Sequence, residues 1–137
     1  MIRKIQCKKL KAFTLMELLV VLCIVGILIL LALPNLMPLI SKTKATEAQL
    51  QLQHLYTLEK SYFYLHSKYS EELTALDYEH AKLVTEDGQA NYQIEIAEVS
   101  ANGFKARATA VVDFDGDGTF DVWEIDQDKR LVQVTKD

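Results

Sequence analysis

Apolar and polar positions divide the chain into regimes with different periods. Residues 18–33, LLVVLCIVGILILLAL, are sixteen in a row without one polar side chain. Beyond Pro38 the pattern becomes amphipathic. Ala45, Ala48, Leu52, Leu55, Leu58, Tyr62 and Leu65 recur at steps of three and four, which is one face of a helix. Lys44, Glu47, Gln49, Gln51, Gln53, Glu59 and Lys60 fill the positions between them. The two patterns join into one predicted helix over residues 14–66, kinked near Pro34 and roughly 80 Å long at the standard rise. Its first half is apolar all round and its second half carries a single apolar stripe. That is the shape of a stalk with a head on one side.

From residue 91 the period changes to two. NYQIEIAEV, FKARATAVVDF, FDVWEID and KRLVQV read as strands, separated by turns at 101–103, 115–118 and 127–128. Short turns between four strands predict an antiparallel meander with one face against the helical stripe. The expected fold class is therefore α+β: a long N-terminal helix packed on a small antiparallel sheet of about four strands. Between helix and sheet lies the tyrosine-rich stretch SYFYLHSKYSEELTALDYE, residues 61–79. It is expected to pack as a loop, with Ser70 capping a short helical turn at 71–75.

Length and cysteine usage narrow this picture. Of 137 residues, fewer than a hundred remain for the head once the N-terminal segment is set aside, so its core is small. No disulfide can close it, because Cys7 and Cys23 both precede it. The formal charge of −4 hides an asymmetry: residues 1–12, MIRKIQCKKLKA, hold five basic residues and no acid, leaving ten basic against nineteen acidic residues beyond. A basic stub before an apolar segment follows the positive-inside pattern, with the N-terminus cytoplasmic and the head outside. The acidic head argues against direct nucleic-acid binding. His54, His66 and His80 lack metal-pair spacing and read as solvated. No nucleophile–base arrangement or phosphate-cradling glycine loop points to an enzyme.

Phe13 to Leu33 spans roughly 31 Å as a helix, close to the hydrocarbon thickness. A signal-peptidase site is poor, since bulky Leu30 lies two places before Ala32. Only Thr14 and Glu17 interrupt the span. An ionised glutamate there is costly unless it snorkels to the headgroups or finds a partner. Cleavage between Ala12 and Phe13 would remove all five leader charges and create an α-amino group of pKa about 7.7–8.0. Glu17 of one copy against the Phe13 amine of another would neutralise both.

The stretch KAFTLMELLVVLCIVGILILLALPNLM resembles the N-terminal signature of type IV pilins and of the related type II secretion and competence pseudopilins. The resemblance implies cleavage by a prepilin peptidase at Ala12–Phe13, N-methylation of Phe13, and a docking role for Glu17 in assembly. It also implies a helix-loosening stretch from Gly26 to Pro34. One departure is Ala12, where the family usually has glycine before the cut. The domains implied are a cleaved leader, 1–12, a membrane and polymerisation helix, 13–40, and a globular head, 41–137. Expected partners are further copies of the chain, the prepilin peptidase, an assembly ATPase and an inner-membrane platform protein. The expected location is the bacterial inner membrane before assembly, then an extracellular pilus or a periplasm-spanning pseudopilus. The loop after the stalk resembles that of many type IV pilins and favours pilus over pseudopilus.

DFDGDGTFDVWE, residues 113–124, fits the D-x-D-x-D-G calcium-loop pattern. Calcium favours six to eight hard oxygens, and aspartates alternating around a glycine turn converge them. The expected ligands are Asp113, Asp115, Asp117, the Thr119 carbonyl and Asp121. Glu124 is set aside, because in a strand it faces away from Asp121. A solvated acidic turn is the competing reading. Three functions thus stand: a type IV pilus subunit, a pseudopilin of a secretion or competence system, and a membrane-anchored calcium-binding module.

Overall fold

The structure, a computed structural model, describes residues 12–137. Residues 1–11, with the basic residues of the expected leader, lie outside the described residues. Helix α1 spans Leu15–His66; one-turn 3-10 segments follow at Thr74–Leu76 and Val84–Glu86. The strands are β1 (Tyr92–Val99), β2 (Phe104–Ala110), β3 (Val122–Asp126) and β4 (Leu131–Thr135). They form an antiparallel meander in the order β1-β2-β3-β4. The α+β expectation, including all four strands, is what the chain adopts.

Two compact units divide the chain between Leu36 and Met37. In the first, every described side chain is exposed, Leu30 at 74% and Leu31 at 64% among them. This part of α1 is long and apolar enough to cross a membrane. Gly26 and Pro34 both lie inside α1, and neither ends it. Pro34 has no N–H to give to the Leu30 carbonyl, so one rung of the ladder is missing there. The next residue, Asn35, leans its Nδ2 toward the Leu31 carbonyl at 3.5 Å.

In the second unit, α1 lays one face on the sheet. Ala45, Ala48, Leu52 and Leu55 are buried, as the three–four spacing predicts. The stripe then departs from expectation. Glu59 takes the next buried position, while Leu65 is 80% exposed. Positions 52, 55 and 59 continue the i, i+3, i+7 face; Leu65 falls off it at the last turn of α1. Across from the helix, β2 alternates strictly, with Phe104, Ala106, Ala108 and Ala110 buried. Tyr92, Ile94 and Ile125 join them in one core with Tyr69, Leu76 and Tyr78 from the connecting segment.

That segment also differs in detail. Ser70 makes a tight turn, its hydroxyl accepting from the Glu72 N–H (3.1 Å) and donating to the Glu72 carbonyl (2.9 Å). The helical turn comes later, at Thr74–Leu76, without a side-chain cap. A serine bonded to its own i+2 backbone competes with a helix start rather than supporting one. His80 is not a solvated histidine: its Nε2 accepts the Ile94 N–H (2.8 Å) and its Nδ1 meets the Ala81 carbonyl (2.6 Å). This covers a main-chain donor of edge strand β1.

Candidate functional sites at the helix start and the carboxylate loop

Ala12, Phe13 and Thr14 precede the helix and are exposed. The Ala12–Phe13 bond therefore lies in non-helical chain. Thr14 and Glu17 form a reciprocal cap at the start of α1. The Glu17 N–H donates to Thr14 Oγ1 (3.3 Å), and the Thr14 N–H donates to Glu17 Oε2 (2.9 Å). The Thr14 hydroxyl also donates to Oε2 (3.3 Å). This is a capping box, which satisfies main-chain donors that α1 leaves open at its first turn. The spacing T-x-x-E before an apolar run is legible in the sequence, so Glu17 has a local partner that inter-subunit pairing alone overlooks. Both interactions use Oε2; among the described residues, Oε1 of Glu17 has no partner.

The loop between β2 and β3 turns on two glycines in the left-handed region, Gly116 (φ 81°) and Gly118 (φ 86°). Asp113 anchors it, accepting the Gly116 N–H on Oδ1 (2.6 Å) and the Gly118 N–H on Oδ2 (2.7 Å). These bonds, the Gly118 one foremost, hold its carboxyl below the ordinary aspartate value. Asp115 Oδ1 accepts the Asp117 N–H, and Asp117 Oδ1 accepts the Thr119 N–H. Asp137, which the loop pattern does not contain, completes the group by accepting the Phe114 N–H (2.7 Å) and the Asp115 N–H (3.3 Å). Carboxylate oxygens of Asp113, Asp115, Asp117 and Asp137 lie within 4.8 Å of one another. Asp115 feels this crowding. The Asp117 N–H lowers its pKa, but desolvation and the charges of Asp117 and Asp137 outweigh it and raise the value.

Asp121 is not brought to this cluster. It is fully buried, with Oδ2 accepting the Tyr92 hydroxyl (2.6 Å) and the Trp123 indole N–H (2.8 Å) and Oδ1 accepting a Gln133 amide N–H (2.7 Å). As the residue before β3, it points into the head, where three donors converge on it. Burial and the Asp121 carboxylate push the Tyr92 phenol strongly upward. Glu124 lies on the other face, where Oε1 accepts from Arg107 Nη2 (2.6 Å) and Nε (2.8 Å). Asp137 was missed because only folding brings β4 and its exit beside the β2–β3 loop.

A smaller polar joint ties α1 to the sheet. Glu47 accepts the Asn91 N–H (2.9 Å) and Nδ2–H (2.7 Å), and Lys44 Nζ donates to Asn91 Oδ1 (3.2 Å). Beside it Tyr78 donates to Gln51 Oε1 (2.8 Å). Burial, with the Glu47 charge second, pushes the Tyr78 phenol up to about 12.

No protein-family model matches the chain. Among curated proteins, the type IV major pilin protein PilA of Myxococcus xanthus is 41% identical over 61 residues, a stretch covering 44% of this chain and 28% of that relative. The matched stretch is thus less than half of this chain and little more than a quarter of that relative. The chain is similar over that stretch to a type IV major pilin, and its long N-terminal helix with a four-stranded antiparallel sheet is the α+β architecture of such a subunit.

Proposed function

We propose that this chain is the structural subunit of a type IV pilus, cleaved at Ala12–Phe13, methylated at Phe13 and polymerised through α1. Its similarity to a major pilin carries this reading most directly. Two features of the helix support it. The first half of α1 exposes its apolar side chains on all sides, a surface suited first to lipid and then to the same helix of neighbouring copies. Among the described residues Glu17 uses only Oε2, in the capping box, which leaves Oε1 for the new amine of another copy. Gly26 and Pro34 weaken α1 where it would need to loosen on leaving the membrane. A prepilin peptidase, an assembly ATPase and an inner-membrane platform protein are the partners this function requires. Before assembly the chain crosses the inner membrane with its N-terminus cytoplasmic.

Capping and charge at Glu17 are separable. Glu17→Gln keeps an oxygen for the Thr14 N–H but carries no charge; Glu17→Ala loses both. Sheared surface filaments should be depleted of both variants while the membranes retain them. Filaments formed normally by Glu17→Gln would reduce Glu17 to a helix cap.

We further propose that Asp113, Asp115, Asp117 and Asp137 hold calcium, in a set that replaces Asp121 with Asp137. Mutual repulsion of four converging carboxylates favours this over a bare acidic turn. A ligand at about 100 times its Kd stabilises the folded state by about 2.7 kcal/mol. Millimolar calcium should therefore raise the unfolding midpoint of the wild type and not of Asp117→Asn. An unchanged wild-type midpoint would refute the site.

A further inference from the structure

Glu59 is fully buried on the core-facing side of α1. Its Oε2 accepts the Ser70 N–H (3.0 Å), and its Oε1 has no hydrogen-bond partner among the described residues. A carboxylate in such a place is expensive, because each buried lone pair without a donor loses its water. The ionisable groups around it are committed elsewhere. On α1, Lys60 donates to the Tyr69 hydroxyl (3.1 Å), Tyr56 has Lys60 and Lys129 over its ring at 5.6 and 5.8 Å, and Tyr62 stacks on His66. On the covering segment, Tyr69 packs against Phe63 and against Phe104 of β2. Among the described residues, no cation forms an ion pair with Glu59.

Ser70 is the point at which the covering segment meets this carboxyl group. The chain reverses at Ser67 (φ 56°), and Tyr69 and Ser70 are buried against α1. Leu73 and Thr74 then hold the segment's own turn, accepting from Leu76, Asp77 and Tyr78. Between the exposed residues 64–68 and 71–72, the buried pair Tyr69–Ser70 forms a short latch over Glu59.

We propose that Glu59 is a proton-binding site, and that the segment from Ser67 to Asp77 is latched to α1 while Glu59 is neutral and released when it ionises. Desolvation raises its pKa above the ordinary glutamate value of 4.5, against the lowering effect of the Ser70 N–H. The sign follows from linkage. A folded state that holds this proton more tightly than the unfolded chain gains stability below the ordinary glutamate value. It loses that stability as pH rises through the raised one. Between those two values each pH unit weakens the latched state relative to the released one about tenfold, and above the raised value no further loss follows. The inference rests on the head alone and holds whether or not the chain enters a filament.

Carboxyl 13C titration of the full chain in detergent micelles tests it, with Glu59→Gln used to assign the resonance. One glutamate resonance, absent from Glu59→Gln, should titrate above the others, and the Ser70 amide shift should follow the same midpoint. Hydrogen exchange at the Leu76, Asp77 and Tyr78 amides, corrected for intrinsic exchange, should lose protection above that midpoint in the wild type and not in Glu59→Gln. A Glu59 resonance titrating with the other glutamates would overturn the proposal. Protection that falls identically in both proteins would overturn it too.

Discussion

Replacing Asp121 with alanine removes one acceptor from three donors at once. The Tyr92 hydroxyl is the worst affected, since Tyr92 is 1% exposed and water cannot replace the lost 2.6 Å bond. A buried donor left without a partner costs about 1–3 kcal/mol. The Trp123 indole and the Gln133 amide are only half-buried, so each recovers part of its loss from solvent at a cost of about 0.5–1 kcal/mol. Together the expected destabilisation is about 2–5 kcal/mol, a large part of the 5–15 kcal/mol typical of a folded domain. Asp121→Asn should cost less, about 1–2 kcal/mol. Its oxygen still serves Tyr92 and Trp123, while its NH2 group meets Gln133 once that amide flips to present oxygen. Urea unfolding of the full chain in micelles, followed by circular dichroism of the sheet, measures both. Trp123, the only tryptophan, gives a second probe inside the network. An alanine variant within 1 kcal/mol of wild type would show that the three donors do not depend on Asp121. An asparagine variant as damaged as the alanine one would show that charge, and not hydrogen-bond count, is what Asp121 supplies.

Leu52→Ala should cost about 2–5 kcal/mol because Leu52 has no exposure, while Leu65→Ala should stay within about 0.5 kcal/mol; urea midpoints that rank the two the other way would contradict the burial of the helical stripe. Gly118→Ala forces a side chain into φ 86° and should destabilise the head by about 1–2 kcal/mol through backbone strain alone, read by the same unfolding curves. Arg107→Ala breaks a short but half-exposed pair with Glu124 and should cost about 1 kcal/mol or less, falling further in high salt; a loss above about 2 kcal/mol would mean the pair is not screened as its exposure implies.

Period was the legible part of this chain. Three–four spacing located α1, and alternation located all four strands, because both patterns record which face meets the core. What escaped lay where a polar residue takes an apolar position or where the pairing is long-range. Glu59 occupies a core position by spacing, yet its polarity assigned it to the surface. Asp121 lies within the calcium-loop pattern, but its side chain turns inward to donors from β1, β3 and β4 that only the folded sheet brings together. Asp137 joins the carboxylate group across a separation of 22 residues from Asp115. The capping box at Thr14 and Glu17 was legible from a three-residue spacing. It was masked by the stronger question of what a carboxylate does beside an apolar run.

Intact-mass spectrometry of this protein from sheared extracellular material and from cell membranes bears most directly on its role as a pilus subunit. A species beginning at a methylated Phe13 in the sheared fraction is the predicted result. The same processed species confined to the envelope would point to a pseudopilus instead. Residues 1–12 still attached in both fractions would contradict the filament subunit and leave α1 as an anchor.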